Sequence, residues 1–429
     1  MEQSTPQKKP LLTPTLQLFM LAMILANIAG SMYGPLLPLY LKSLGANVVQ
    51  IGLFFTISQI IPLVLQILGG WISDSLGRLK SIAIGSAAGV LSYVGLIFSP
   101  VWQWVLVGEG LGAMTRSLVG PSFGAFIAEE SDESNRAKVY GITESIFTIV
   151  TIVGPPLGGF LVDKFGFKFM LVCAAFIYIA ATTIRISMAR RSASHESQKP
   201  NGSLSYKSLG VNLSAMLGLV LAGGLLTWVL ITDGIRDVSF SFSGNLLPVY
   251  LEEVGSLNAQ KIGWLASIMG IANMLTNYPA GWLADKKGER LVIILGFLLQ
   301  ASALFLFIKV NGFWGYAAVW AIFGIGIGLM SPAYQSLLSK VLPARLRGTG
   351  FGLIHSSLGL FSLPAPAIGA YLYKTFSPTV PFLITAWASL IAILPVFFKF
   401  KITKKDENAN LRALEKLNGT LEQSSSDPK

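Results

Sequence analysis

The sequence predicts an all-α membrane protein: twelve transmembrane helices in two six-helix bundles related by pseudo-two-fold symmetry. Three observations carry that expectation. The 429 residues are 52% hydrophobic and only 12% charged, about half the charge of a typical soluble chain. The charges collect in short clusters between apolar runs long enough to cross a hydrocarbon layer of roughly 30 Å. The two halves of the chain also repeat one another in sequence, and such self-similarity is the mark of duplicated architecture.

The spans follow in order. Residues 1–13 are polar and form an N-terminal tail. Apolar runs at about 15–42, 49–72, 80–98, 102–127, 138–162 and 168–188 give six spans within a first bundle of residues 14–189. The first run is too long for the apolar core of a signal peptide and is read as span 1. A polar linker of residues 190–212 follows, rich in Ser, Lys and Gly. Runs at about 213–251, 259–283, 291–309, 313–339, 350–373 and 379–398 give six more in a second bundle of residues 213–400, before a tail of residues 401–429. Runs of this length exceed the roughly ten residues of a barrel strand, so helices are the workable choice. The run at 213–251 would reach about 57 Å at 1.5 Å per residue. Span 7 is therefore expected from about Leu221 to Leu251, with its start belonging to the linker.

Orientation follows from the basic residues. Arg78, Lys80, Arg136, Lys138, Arg190, Lys286, Lys287, Arg290, Arg345 and Lys404 fall on one side if the spans alternate. The positive-inside rule then makes both termini and the linker cytoplasmic, in a cell (inner or plasma) membrane. The sequons at Asn201, Asn212 and Asn418 lie on that same inner side.

The repeat is explicit. LLPLYLKSLG at 36–45 returns as LLPVYLEEVG at 246–255, GEGLG at 108–112 as GIGIG at 324–328, and GPPLGGFL at 154–161 as APAIGAYL at 365–372. The loop Gly70-Trp71-Ile72-Ser73-Asp74-Ser75-Leu76-Gly77-Arg78 recurs, after one inserted residue upstream, from Gly281 through Asp285 and Gly288 to Arg290, with the extra Glu289 before Arg290. Gly70 and Gly281 would let a neighbouring helix approach closely, and Gly77 and Gly288 would permit a tight turn. Asp74 and Asp285 can accept from a helix N-terminus, while Arg78 and Arg290 can pair with acids such as Glu129 or Glu130.

This twice-placed loop, G-x-x-x-D-x-x-G-R, resembles the signature of the major facilitator superfamily, in particular its drug:proton antiporters. The resemblance implies that these residues form a latch of the outward-facing state, and that spans 1, 4, 7 and 10 line a central cavity. Gly154, Pro155, Gly158 and Gly159 in span 5 resemble the family's antiporter motif, although Val150 stands where the fuller motif has glycine. They serve either to restrict leak by close packing or simply as a kinked packing helix. Span 4 departs further, since Leu106 replaces the arginine expected before Gly110-Leu111-Gly112.

Ionisable residues inside spans are costly and are therefore functional candidates. Glu109 and Arg116, seven residues apart in span 4, point the same way. Span 7 holds Asp233, Arg236 and Asp237. Arg116 and Asp237 lie at equal depth, so either they pair across the bundles as part of transport or they make a static brace. Glu144 and His355 hold equivalent places in the repeat. Asp237, Asp233, Glu109 and Glu144 are the candidate proton-coupling residues. Arg116, Arg236, Asn27, Gln59, Asn273 and Asn277 are the candidate cavity residues.

The net charge of +11 flanks apolar spans rather than forming a nucleic-acid patch. The one cysteine, Cys173, admits no internal disulfide. No phosphate-binding loop, metal cluster or Ser-His-Asp arrangement stands in the sequence, so neither enzymatic chemistry nor a cofactor is expected. The expected function is secondary active transport by a monomer: proton-coupled export of an amphipathic small molecule through the lipid bilayer. The alternatives are proton-coupled uptake of a sugar or organic anion, and a lipid flippase.

Overall fold

The computed structural model describes residues 12–76, 78–131, 135–192, 224–341 and 361–400. Gly77, His355 and the linker lie outside the described residues, as do the side chains of Asp74 and Glu129. The described chain is helical throughout. Its helices are α1 (Pro14–Tyr33), α2 (Leu37–Ser43), α3 (Val48–Leu76), α4 (Arg78–Ile97), α5 (Trp102–Glu130), α6 (Arg136–Phe165) and α7 (Phe167–Ser192). They continue with α8 (Leu225–Ser243), α9 (Leu247–Glu253), α10 (Ala259–Lys287), α11 (Glu289–Phe307), α12 (Gly312–Val341), α13 (Ala365–Thr375) and α14 (Val380–Lys399). Among the described residues seven helical stretches are long and apolar enough to cross a membrane, from Pro14–Ser43 to Val380–Lys399.

Local chemistry explains the breaks. Thr13 caps α1 by accepting the Leu16 N–H at 3.2 Å, and Pro14 costs nothing there because an N-terminal amide has no helical partner. Between α1 and α2 the chain tightens into a 3-10 turn over Gly34–Leu36, where Pro35 and Pro38 lack amide hydrogens. The repeat reproduces this turn over Gly244–Leu246, just before Pro248. Gly166 separates α6 from α7 with φ +84, and Gly288 separates α10 from α11 with φ +87, a region that L side chains rarely enter.

The helices sort into two compact units. One gathers the described residues up to Ala46 with those of Ile57–Asn201 and Asn258–Ser267; the other gathers Asn47–Thr56, the described part of Gly202–Leu257, and those from Ile268 onward. In the first, α1 packs on α6 and α7, and α4 on α5 and α7. In the second, α8 packs on α13 and α14, and α11 on α12 and α14, the same pairing in the repeat. Phe19, Met23, Ile82, Phe126 and Met188 centre the first core, and Val229, Phe297, Met330, Tyr334 and Val396 the second. In lipid such helices gain little from hydrophobic transfer and are held by close packing and interhelical hydrogen bonds. Gly108 shows how: α5 comes so near α4 that a Cβ there would lie 2.9 Å from Leu96, and Ser92 donates to the Gly108 carbonyl at 2.7 Å.

Candidate functional site

On α8, Asp233, Arg236, Asp237 and Phe240 recur at three- and four-residue spacing and so share one face. Arg236 is claimed by both aspartates. Its Nη1 lies 3.2 Å from Asp233 Oδ1, while Nη2 and Nε donate to Asp237 Oδ1 at 2.8 and 3.2 Å. Its guanidinium also stands over the Tyr334 ring, 5.7 Å from the centroid. Both carboxylates converge on this one guanidinium.

This face borders a cavity of about 640 Å³ inside the second unit. Phe240, Phe323, Met330 and Tyr334 supply apolar and aromatic wall, and Gln300, Ser331, Gln335, Thr385 and Ser389 supply hydrogen-bonding groups. Such a mixture, mostly apolar with a few polar groups, is what small-molecule sites present. α8 is fixed to α14 beside it, since Thr385 Oγ1 donates to the Ser239 carbonyl at 2.5 Å and lies 2.9 Å from Ser243 Oγ.

In the first unit, Glu109 is buried at 8% exposure. Arg116 Nη2 approaches its Oε2 at 3.4 Å, and the Tyr33 hydroxyl donates to its Oε1 at 3.2 Å. Arg116, expected to face the Asp233/Asp237 pair, lies against Glu109 two turns away on its own helix, and Asp237 lies against Arg236 beside it.

The comparisons with known proteins meet this geometry. The sequence profile of the Major Facilitator Superfamily matches residues 19–205 and 229–425. The chain belongs to the Major Facilitator Superfamily. It is similar to the multidrug resistance protein MdtG of Dickeya zeae (strain Ech586), 24% identical over 89% of this chain and 93% of that protein. It is also similar to a homologue of the multi-drug resistance efflux pump PmrA from Lactococcus lactis, 22% identical over 86% and 91%. Among solved structures, a POT family transporter in complex with 5-aminolevulinic acid superposes with a TM-score of 0.73 at 15% identity, covering 90% of this chain and 96% of that one. The nucleoside transporter NupG does so with a TM-score of 0.73 at 13% identity, covering 90% and 100%. These likenesses show the superfamily fold. The chain is thus a multi-pass membrane transporter of small molecules, drug-transporter-like, rather than an enzyme.

The remaining candidates take their places within that superfamily fold. In the span 5 motif, Gly154 and Gly158 lie against Ser31 and the Met32 carbonyl of α1, and Gly159 lies against the Ala259 carbonyl at the start of α10. Even a methyl group at these positions would collide with backbone or with Ser31. α6 nevertheless stays helical from Arg136 to Phe165 through Pro155 and Pro156. In the second signature loop, Gly281 does not serve the close approach expected of it: nothing among the described residues lies within 4 Å of a Cβ placed there. Among the described residues Arg290 stands over the Phe397 ring, 4.4 Å from its centroid, rather than against an acid. The inserted Glu289 is buried instead, accepting from Ser336 Oγ at 2.7 Å and pairing with Lys340. Asp285 is exposed.

Asn27 spends its amide on the Met23 carbonyl of its own helix at 2.8 Å. Asn273 has a buried Oδ1 without a hydrogen-bond partner among the described residues. Gln59 is half-buried, Glu144 and Asn277 are exposed, and Glu130 sits half-buried in the last turn of α5. Sequence reasoning missed Arg185. It is the largest fully buried side chain described, at 2% exposure, and donates to Ser86 Oγ at 2.8 Å and to Met23 Sδ at 2.7 Å. Its place near the end of an apolar run reads as a cation reaching out to the interface; only the packing of α7 on α1 and α4 shows that it turns inward. Among the described residues no group of three or more His, Cys, Asp or Glu is placed to hold a metal ion.

Proposed function

We propose that the chain is a secondary active transporter working by alternating access, exporting an amphipathic small molecule in exchange for protons. The observation that carries this reading is the Asp233–Arg236–Asp237 face, two carboxylates on one guanidinium, set on the wall of a partly aromatic cavity of about 640 Å³. An ionised carboxylate within a span is costly, and either a proton or a cationic group of the substrate relieves it. A carboxylate that both relieve makes the two occupants exclusive, which is the requirement for exchange. The multidrug names of the similar proteins from Dickeya zeae and Lactococcus lactis favour export of amphipathic compounds.

The reading includes twelve spanning helices in two bundles, residues 14–189 and 213–400, joined by a linker of residues 190–212. Both termini face the cytoplasm, the host is the cell membrane, and the monomer is the working form. Asp237 and Asp233 are the first candidates for the coupling carboxylates, with Glu109 next and Glu144 last because it stands exposed.

The test is a reconstituted flux. In proteoliposomes containing a trapped pH dye, adding a lipophilic aromatic substrate should drive a proton flux opposite in direction to substrate movement. Flux in the same direction would mean uptake by symport, the role in which the 56% exposed Arg116 side chain would anchor an anion. Substrate binding without proton flux would reject the coupling.

A further inference from the structure

At the end of α6 furthest from Arg136, Asp163 commits both carboxylate oxygens to a distant helix. Its Oδ1 accepts the Ala259 N–H at 3.1 Å and its Oδ2 accepts the Gln260 N–H at 3.2 Å. These are the first two amides of α10, and the third, Lys261 N–H, goes to the cap residue Asn258 at 3.1 Å. A helix start carries orphan donors and partial positive charge, so a carboxylate there is doubly favoured. Behind the contact the two helices touch backbone to backbone. Gly159 lies against the Ala259 carbonyl, Gly263 against the Pro155 carbonyl, and Ser267 Oγ donates to the Ile152 carbonyl. α10 also belongs to both units, with Asn258–Ser267 in the first and the residues from Ile268 in the second.

The sequence repeat supplies an internal control. Aligning GPPLGGFLVD at 154–163 with APAIGAYLYK at 365–374 sets Lys374 opposite Asp163. The start of α3 packs on α13 in the matching way, with Gly52 against the Pro366 carbonyl and Thr56 Oγ1 accepting the Ala367 N–H at 3.2 Å. Among the described residues the helix start there is capped locally, by Asn47 and Gln50 exchanging bonds of 2.9 and 3.0 Å. Lys374 has no oxygen to offer the first amides of α3.

We propose that Asp163 is a clasp holding the start of α10 onto α6, present on one of the two repeat-related seams, and that it closes the outer end of the carrier in one conformation. The proposal rests on the alternating-access reading and on the topology that places this end outside. Opening the outer end then requires two hydrogen bonds to be surrendered on the α6–α10 seam and none at the equivalent place on the α3–α13 seam.

The test replaces Cys173 by Ser, introduces Ser267→Cys as a reporter buried in the clasped seam, and measures its labelling by a membrane-impermeant maleimide added outside. Asp163→Ala should raise the labelling rate about fivefold, the usual consequence of losing exposed charge-assisted hydrogen bonds. Asp163→Asn should fall between, because its amide offers one acceptor oxygen, and Asp163→Glu should restore slow labelling. Lys374→Asp, which creates the missing acceptor on the other seam, should slow labelling below that of the parent. Equal rates in the parent and Asp163→Ala, or faster labelling in Lys374→Asp, would overturn the proposal. Should Asp163→Ala fail to insert, the sign of the Lys374→Asp effect decides alone. A substrate-dependent change in the parent's labelling tests the carrier reading separately from the ratio between variants.

Discussion

Asp237→Asn probes the charge on the cavity wall with little change of shape. An asparagine oxygen can still accept from Arg236, whose Nη2 and Nε now reach Asp237 Oδ1 at 2.8 and 3.2 Å. What changes is the charge: one carboxylate of the cluster becomes a neutral amide. Replacing the charged acceptor costs about 1 kcal/mol of stability. That figure is already discounted for solvent, because the two side chains are 38% and 30% exposed. Folding and insertion should therefore survive. Coupling should not, since an amide at position 237 has no charge for a proton to relieve. An imposed pH difference of one unit can drive a one-proton exchanger to about tenfold accumulation; the variant should equilibrate near unity while retaining substrate binding and passive exchange. The assay is substrate uptake into vesicles under that gradient, beside Asp233→Asn and the wild type. If both neutral variants still accumulate substrate about tenfold, the α8 cluster does not couple transport and Glu109 becomes the first candidate.

Arg116→Ala should lower both binding and transport, because Glu109, at 8% exposure, is left with Tyr33 alone; restoration of thermal stability by the double change with Glu109→Gln would identify the pair as the cause, and its absence would refute it. Gly158→Ala should reduce the melting temperature in detergent or prevent insertion, since its Cβ meets the Met32 carbonyl, whereas Gly281→Ala meets open space and should be neutral or stabilise by up to about 1 kcal/mol through helix propensity. Glu289→Gln should destabilise the α11–α12 contact by about 1 kcal/mol by weakening its bonds to Lys340 and Ser336, read as a lower melting temperature with transport per folded molecule unchanged. Asp74→Asn should weaken transport with insertion intact and Asp285→Asn should stay near wild type, checked by accessibility of inner and outer probes.

The all-helical, multi-pass character and the seven described helices long and apolar enough to cross a membrane were legible in the sequence because lipid imposes a one-dimensional rule: a helix must be apolar for about twenty residues wherever it crosses. The repeat of LLPLYLKSLG as LLPVYLEEVG was visible in the sequence, whereas the 3-10 break at each copy came from the structure, where proline and glycine act on their own backbone. The sharing of a face by Asp233, Arg236 and Asp237 follows equally from helical spacing. The pairs of Arg116 with Glu109 and of Arg236 with Asp233 and Asp237 each lie within one helix, where spacing allows them, but only the tertiary structure brought the Tyr33 hydroxyl from α1 to Glu109. It alone brought α11 and α14 to the cavity through Gln300, Thr385 and Ser389, buried Arg185 among Met23 and Ser86, and set Asp163 on the start of α10. Each of these joins residues dozens to more than a hundred and fifty positions apart, and what selects them is the packing of one helix against another, which no local pattern encodes.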